Sequence, residues 1–463
     1  MSPCGIRARV SERVLSLLRD VDRARRRGGA ALDERRRSRL AEQVAFARAH
    51  SPYLRELYSD LPERVEEAAM LPVTSKPALQ ERFEDWVTDD EATIAAARDY
   101  TAAPLAPGRR FLGRYVACTS SGTTGRRGIA LIDSRALAVG DALRLYSLVR
   151  RLAPRDLGRI AARRGAGVIV SSGNGHFLGA ALAGSGRWRR RSIRVISMYR
   201  PMEQLVAELN RLQPVILSGY ASVIAQLADE QLAGRLRISP VLVAVSAEAG
   251  ERDRDRIKRA FAAKLADTYA AAECPFIAHG CEHGWLHLNS DWVVLEPIDA
   301  DGSPTAPGEE SHTALLTNLA NRVQPILRYR LDDKIMTLPG PCPCGSALPA
   351  IRVRGRTAEP LLFDSNGGEV GVLPIALRGL IVRTPGIERF QLVQTTPTAL
   401  CVRFETDSGA DPEAVWRSLS GAFEELLAEH GLAHVTVERG EAPQRSPGGK
   451  YREIIPLETA DQG

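Results

Sequence analysis

Thr119–Gly128 reads TSSGTTGRRG, placing three glycines and five hydroxyl side chains in ten positions. Glycine lets backbone N–H groups approach an anion closely, hydroxyls add donors, and Arg126 adds a fixed positive charge. Such a stretch can wrap a phosphate. It does not fit the GxxxxGK[ST] pattern of the P-loop, and on its own it suits a solvated turn equally well.

A second group of residues can bind metal. The seven cysteines are Cys4, Cys118, Cys274, Cys281, Cys342, Cys344 and Cys401, an odd number that argues against a disulfide framework. CEHGWLH contributes Cys281 and His287, and CPCG contributes Cys342 and Cys344. Three thiolates and an imidazole form a ligand set that tetrahedral Zn²⁺ favours, and a Cys-x-Cys spaced by proline is poorly shaped to close its own disulfide. His279 and His283 compete for the histidine position, and plain burial of the thiols is the alternative. Four protein ligands leave no open coordination position, so such a site is structural.

Elements that could position these groups follow from periodicity. Residues 11–60 repeat Val14, Leu17, Leu18, Leu40, Val44 and Ala45 on helical faces. Between about 165 and 275, strands and helices alternate: VIVSSG, IRVISM, the helix PMEQLVAELNRLQ, PVILSGY, the helix ASVIAQLADEQLA, PVLVAVSAE, the helix RDRDRIKRAFAAKL, then DTYAAAE. This alternation predicts an α/β fold, with a large N-terminal domain of mostly parallel sheets flanked by helices. Ligands in such sheets sit at the carboxyl ends of strands, where SSG, SGY, SAE and AAE fall. The character changes to strand-rich after about residue 285. A boundary near RVRGRTAEP divides residues 1–355, the large domain, from 356–463, a small mobile α+β domain. QLVQTTPTALCVRFET predicts a hairpin turning at Thr395–Thr398, and PEAVWRSLSGAFEELLAEHG a helix closed by Gly431.

Composition narrows the functional classes. The chain has 463 residues, 44% apolar and 25% charged, which is globular and large enough for two or more domains. No apolar run approaches the roughly eighteen residues that span a bilayer, and the N-terminus lacks a secretory pattern. A cytoplasmic protein with no membrane partner is expected. The net charge of +6 is carried by arginine, since only five lysines are present. The clusters RARRR and RRRSR are interleaved with Asp22, Asp33, Glu34 and Glu42, which suits a solvated helix face better than a nucleic-acid reader.

Six further motifs occur in order along nearly the whole chain: HSPYLRELY, LPVTSK, VSAEAGE, TYAAAE, PILRYRLDD and RVRGRTAE. With TSSGTTG after the apolar RYVAC, this series resembles the adenylate-forming enzymes, and within them the phenylacetate–CoA ligase family. The resemblance implies that Thr119, Ser120, Ser121, Gly122, Thr123, Thr124, Gly125 and Arg126 hold the ATP phosphates, Thr123 with a catalytic part. It puts Ser246, Ala247 and Glu248 at the adenine, Tyr269 stacked on it, and Asp333 on the ribose. Arg330 and Arg356 fall near the nucleotide, and Glu273 would ligate Mg²⁺. Lys450, in QRSPGGKYRE, would bridge the carboxylate and the α-phosphate, a charge that stabilises the transition state above the ground state. His176 and Phe177, with Tyr220 and Ala271, would line the acyl pocket. Relatives also carry the C-x5-H and CPCG pairing.

The resemblance implies an ATP-dependent ligase that forms an acyl-adenylate and passes the acyl group to an acceptor. Coenzyme A with an aryl or arylacetic acid is the expected pair, and an amine acceptor is the alternative. A non-catalytic nucleotide-binding zinc protein is a reading from another class, and a monomer or homodimer is expected. Departures from the family pattern are Arg126–Arg127 for Lys-Pro, Ala270 for glycine, Ala358 at the hinge, and LLFDSNGGEVGVLP after it.

Overall fold

The computed structural model describes residues 3–103, 109–119, 128–171, 176, 178–184, 192–246, 251–331, 333–354, 361–365, 368–372, 374–407, 409–444 and 453–457. The chain opens with helices Pro3–Arg27, Gly29–His50 and Pro52–Leu57. Gly28, at φ 87°, supplies the left-handed turn between the first two. Arg26–Asp22 and Arg36–Asp33 are ion pairs along the helix surface, as the charge interleaving predicts. Arg25 and Arg39 do something else. Both turn inward to Asp291, which is fully buried, and Arg39 lies 3.5 Å above the Trp292 ring. Part of the arginine excess is therefore internal glue between the N-terminal helices and the sheet domain.

A short antiparallel pair, β1 (Val116–Thr119) and β2 (Ile129–Ile132), flanks the glycine-rich segment in sequence. Among the described residues, the principal sheet has nine strands. Its parallel half comprises β3 (Gly167–Ser171), β4 (Ile193–Ser197), β5 (Ile216–Tyr220), β6 (Leu242–Ser246) and β7 (Lys264–Ala271), ordered β4-β3-β5-β6-β7. Helices Met202–Leu212, Ala221–Leu232 and Glu251–Phe261 form crossovers between these strands, as the alternation predicts. The last helix stops earlier than its apolar pattern suggests. Ala262 adopts φ 48° and the strand resumes at Lys264.

From β7 the sheet continues antiparallel through β8 (Cys274–Gly280), β9 (Leu286–Leu288), β14 (Ala350–Arg354) and β13 (Lys334–Thr337). A second sheet joins β10 (Val293–Ile298), β11 (Thr313–Asn318) and β12 (Tyr329–Leu331). Toward the C-terminus lie the ribbon β15 (Leu361–Ser365) and β16 (Gly368–Val372), then a four-stranded sheet. That sheet is ordered β19 (Thr436–Arg439), β18 (Ala399–Thr406), β17 (Ile387–Thr396) and β20 (Ile454–Ile455). The β17–β18 hairpin turns through Pro397–Thr398, and helix Pro412–Glu429 ends before Gly431 at φ 74°.

Two large apolar clusters hold these layers. One joins the N-terminal helices, β1, β2 and the antiparallel strands around Tyr58, Phe83, Leu131 and Leu316. The other joins the parallel strands and their helices to the C-terminal sheet around Leu217, Ile224, Phe363 and Phe423. At about 25 cal/mol per Å² of buried apolar surface, clusters of this kind dominate folding. No helix among the described residues is long and apolar enough to cross a membrane.

Candidate functional site

Register brings three parallel strands to one rim. Tyr220 pairs with Ser246, and Ser246 with Thr268, so β5, β6 and β7 end side by side. Ser246 Oγ donates to the Gly219 carbonyl at 3.4 Å. Tyr269 follows on β7, with its ring buried. In an open α/β sheet this edge is where a ligand docks.

TYAAAE and RYRLDD have the same internal spacing, an acid four residues after a tyrosine. The structure pairs them crosswise. Tyr269 Oη donates to Asp333 Oδ2 at 2.7 Å, and Tyr329 Oη donates to Glu273 Oε1 at 3.1 Å. Burial, followed by the Asp333 carboxylate, holds the Tyr269 phenol well above its ordinary pKa, so it stays a donor. Ala272–Glu273 is the two-residue turn between β7 and β8, closed by the Ala271–Cys274 pair. The Glu273 carbonyl accepts from Asn318 Nδ2 at 3.0 Å.

LPVTSK supports this constellation. Thr74 bridges β12 beside Tyr329: its N–H donates to the Arg328 carbonyl at 3.0 Å, and Arg330 N–H returns a bond to Thr74 at 2.9 Å. Arg328 sits at φ 46° and donates to the Leu71 carbonyl at 2.8 Å. Arg330 itself is exposed on β12.

The Thr119 N–H donates to the His176 carbonyl at 2.8 Å, tying β1 to that segment. His176 is buried, with its ring nitrogens 3.3 Å from the Ala117 carbonyl and 3.1 Å from the Ala103 carbonyl. Burial pushes its pKa down. Its ring meets Tyr100 edge-on, so among its described contacts it braces β1. Tyr220 is half-buried at the start of helix Ala221–Leu232, and Ala271 ends β7. Ser120–Arg126, Phe177, Ala247, Glu248, Arg356 and Lys450 lie outside the described residues.

The cysteine and histidine cluster does assemble. Cys281, His287, Cys342 and Cys344 offer ligand atoms all within 4.8 Å of one another. Cys281 Sγ is 3.8 Å from Cys342 Sγ, and Cys344 Sγ is 3.1 Å from His287 Nε2. The sulfur separation is far beyond a disulfide bond of about 2.05 Å. His287 Nδ1 lies 3.2 Å from the Leu348 carbonyl, which fixes the tautomer with Nε2 aimed at the thiols. Turns bring the ligands together: Gly284 at φ 80° in the β8–β9 connection, and Gly345 at φ 76° behind CPCG. Burial pushes the Cys344 thiol up to about 11. Arg254 Nη2 donates to the Cys281 carbonyl at 3.5 Å. His279 is set apart, its ring centroid 6.0 Å from that of His287, and His283 is outside the cluster.

Sequence reasoning missed Tyr329 as a functional group. The signal was present in the repeated tyrosine-to-acid spacing, but only the fold shows that the two copies cross.

The fold is shared with a solved acyl-CoA ligase. Among solved structures, 2-hydroxyisobutyryl-CoA ligase, in complex with 2-HIB-AMP and CoA in the thioesterification state, is similar with a TM-score of 0.56. Identity is 20%, over 92% of this chain and 90% of that chain. The same ligase in the postadenylation state gives a TM-score of 0.51 at 18% identity, over 92% and 89%. At these identities the likeness concerns the fold. No protein-family model matches the chain. The curated protein CapK of Staphylococcus aureus is 28% identical over 138 residues, 29% of this chain and 29% of CapK.

Proposed function

We propose that the chain is an ATP-dependent carboxylate-activating ligase. The observation that carries this reading is the crossed Tyr269–Asp333 and Tyr329–Glu273 pair at the carboxyl ends of the parallel strands. It would offer an aromatic face, an acceptor for ribose hydroxyls and a carboxylate around one rim. Ser246, Ala247 and Glu248 would line the adenine, and Thr119–Gly125 with Arg126 would wrap the β- and γ-phosphates. Arg330 and Arg356 would stand near the nucleotide. Bound Mg²⁺ would neutralise charge on those phosphates, and Glu273 is the residue that would hold it. Its Oε2 takes no hydrogen bond among the described residues, which suits a cation that binds through one or two carboxylates and substrate oxygens.

In the first half-reaction an oxygen of the acid attacks the α-phosphorus, and the bond to pyrophosphate breaks. Lys450 would bridge both oxygens as negative charge builds. In the second, an acceptor nucleophile attacks the acyl carbon, loses its proton, and AMP leaves. Residues 356–463 would move relative to 1–355 between the two steps. Coenzyme A is the favoured acceptor, because the similar ligase was solved with CoA and an acyl-adenylate. An aryl or arylacetic acid is the family expectation, with His176, Phe177, Tyr220 and Ala271 around it. Cys281, His287, Cys342 and Cys344 would hold a structural Zn²⁺.

Pyrophosphate release across a panel of carboxylic acids tests the reading, followed by product mass with coenzyme A or amines. Release that depends on one acid class supports it, and no release with any acid defeats it. Metal analysis should give one zinc per chain. Absence of zinc, with all three thiols freely reactive, would remove that assignment.

A further inference from the structure

We propose that Tyr329 is a positioning residue for the Glu273 carboxylate, fixing the oxygen offered to the divalent cation that accompanies the nucleotide. This rests on the function proposed above and gives Tyr329 a role of its own in it.

The geometry separates what is held from what is free. Tyr329 is 6% exposed and lies in the apolar cluster of the N-terminal half. Its backbone is gripped from both sides, by Leu316 on β11 and by Thr74. The ring therefore has little freedom, and its hydroxyl is delivered to one point. Glu273 occupies a two-residue turn, where a carboxylate would otherwise sample several rotamers. Two elements of the second sheet remove that freedom: Asn318 on β11 holds the Glu273 carbonyl, and Tyr329 on β12 holds Oε1. An ionised carboxylate only accepts, so the phenol must donate. Oε2 is left without a hydrogen-bond partner among the described residues. Outer partners of this kind commonly alter metal affinity by about 10–100-fold.

Tyr329→Phe keeps the buried ring and removes only the donor. Mn²⁺ binding in the presence of ATP, read by electron paramagnetic resonance, should weaken by about 10–100-fold, with ATP binding in the absence of metal unchanged. The Mg²⁺ concentration for half-maximal pyrophosphate release should rise in parallel, while KM for the acid and the thermal midpoint stay at wild-type values. Because the residue acts through Glu273, the double variant Glu273→Gln/Tyr329→Phe should bind Mn²⁺ no worse than Glu273→Gln alone. Unchanged Mn²⁺ binding in Tyr329→Phe would overturn the assignment, and so would additive losses in the double variant. If wild-type protein binds no Mn²⁺ with ATP, the nucleotide reading itself fails and takes this role with it. A silent wild type and a silent substitution are therefore separate outcomes.

Discussion

The crossed tyrosine–carboxylate pairs and the cysteine–histidine cluster sit at opposite ends of one strand. Glu273 precedes β8 and Cys281 follows it, so at about 3.3 Å per residue roughly 25 Å separates them. The two sites are built on contrary principles. At the Glu273 end, each acid shares one oxygen with a tyrosine, and Oε2 of Glu273 has no hydrogen-bond partner among the described residues. At the Cys281 end, four ligand atoms face one another, and His287 is locked from behind by the Leu348 carbonyl. In the proposed function one end would take a substrate, while the other would be satisfied by a single ion. Substitutions at the first should therefore change turnover and spare stability, and substitutions at the second should do the reverse.

The largest expected effect is at the closed end. Cys342→Ser removes a buried thiol of the cluster, and if it holds zinc this belongs among the few changes that exceed about 4 kcal/mol. Zinc content should fall to near zero and the thermal midpoint should drop sharply. A variant that loses zinc yet melts with the wild type would show that the cluster is not structural. Next comes Glu273→Gln at the open end. Pyrophosphate release should fall by about 10²-fold, the scale of losing one preorganised charge, with zinc content and melting unchanged. Loss of zinc in that variant would show that the two ends of β8 are coupled rather than independent.

Tyr269→Phe sharpens the contrast on a smaller scale. It removes one hydrogen bond to Asp333, worth about 0.5–1.5 kcal/mol. The apparent KM for ATP should rise by up to about tenfold, with kcat for the acid largely retained. Should kcat fall while KM holds, Asp333 would be acting on the reacting atoms rather than on nucleotide binding.

How much of this could be read from residues alone differs between the ends. The cysteine cluster was legible because its ligand types are rare and its two halves are short local motifs, although only coordinates separate His287 from His279. The parallel strands were legible because βα alternation is a local pattern, and the same holds for the Pro397 hairpin. The antiparallel extension through β8, β9, β14 and β13 was not. It joins segments some 60 residues apart in sequence, and nothing local in LHL or AIRVR specifies that partner. Tyr329 was missed for the same reason: its role depends on a bond to a residue 56 positions away. Arg25 and Arg39 read as surface charges from their interleaved acids, but their stems cross a buried interface to Asp291.

His176 provides the smallest test, and one that probes the open end through stability. Both of its ring nitrogens face backbone carbonyls, and burial lowers its pKa below the usual imidazole value. The folded protein therefore holds the neutral ring, while the unfolded chain takes up a proton near pH 6.5. With the folded pKa below the unfolded one, the stabilisation is complete above about pH 6.5 and declines as pH falls through that value toward the folded pKa. His176→Asn should flatten this part of the acid limb in denaturant melts between about pH 7 and pH 5, without changing zinc content. Since the His176 carbonyl also accepts from Thr119, the bond that ties β1 to this segment is formed by backbone and survives the substitution. Nucleotide binding at neutral pH should then be close to wild type. A large loss of ATP binding in His176→Asn would mean instead that the imidazole, not the backbone beside it, holds the strand leading into the glycine-rich loop.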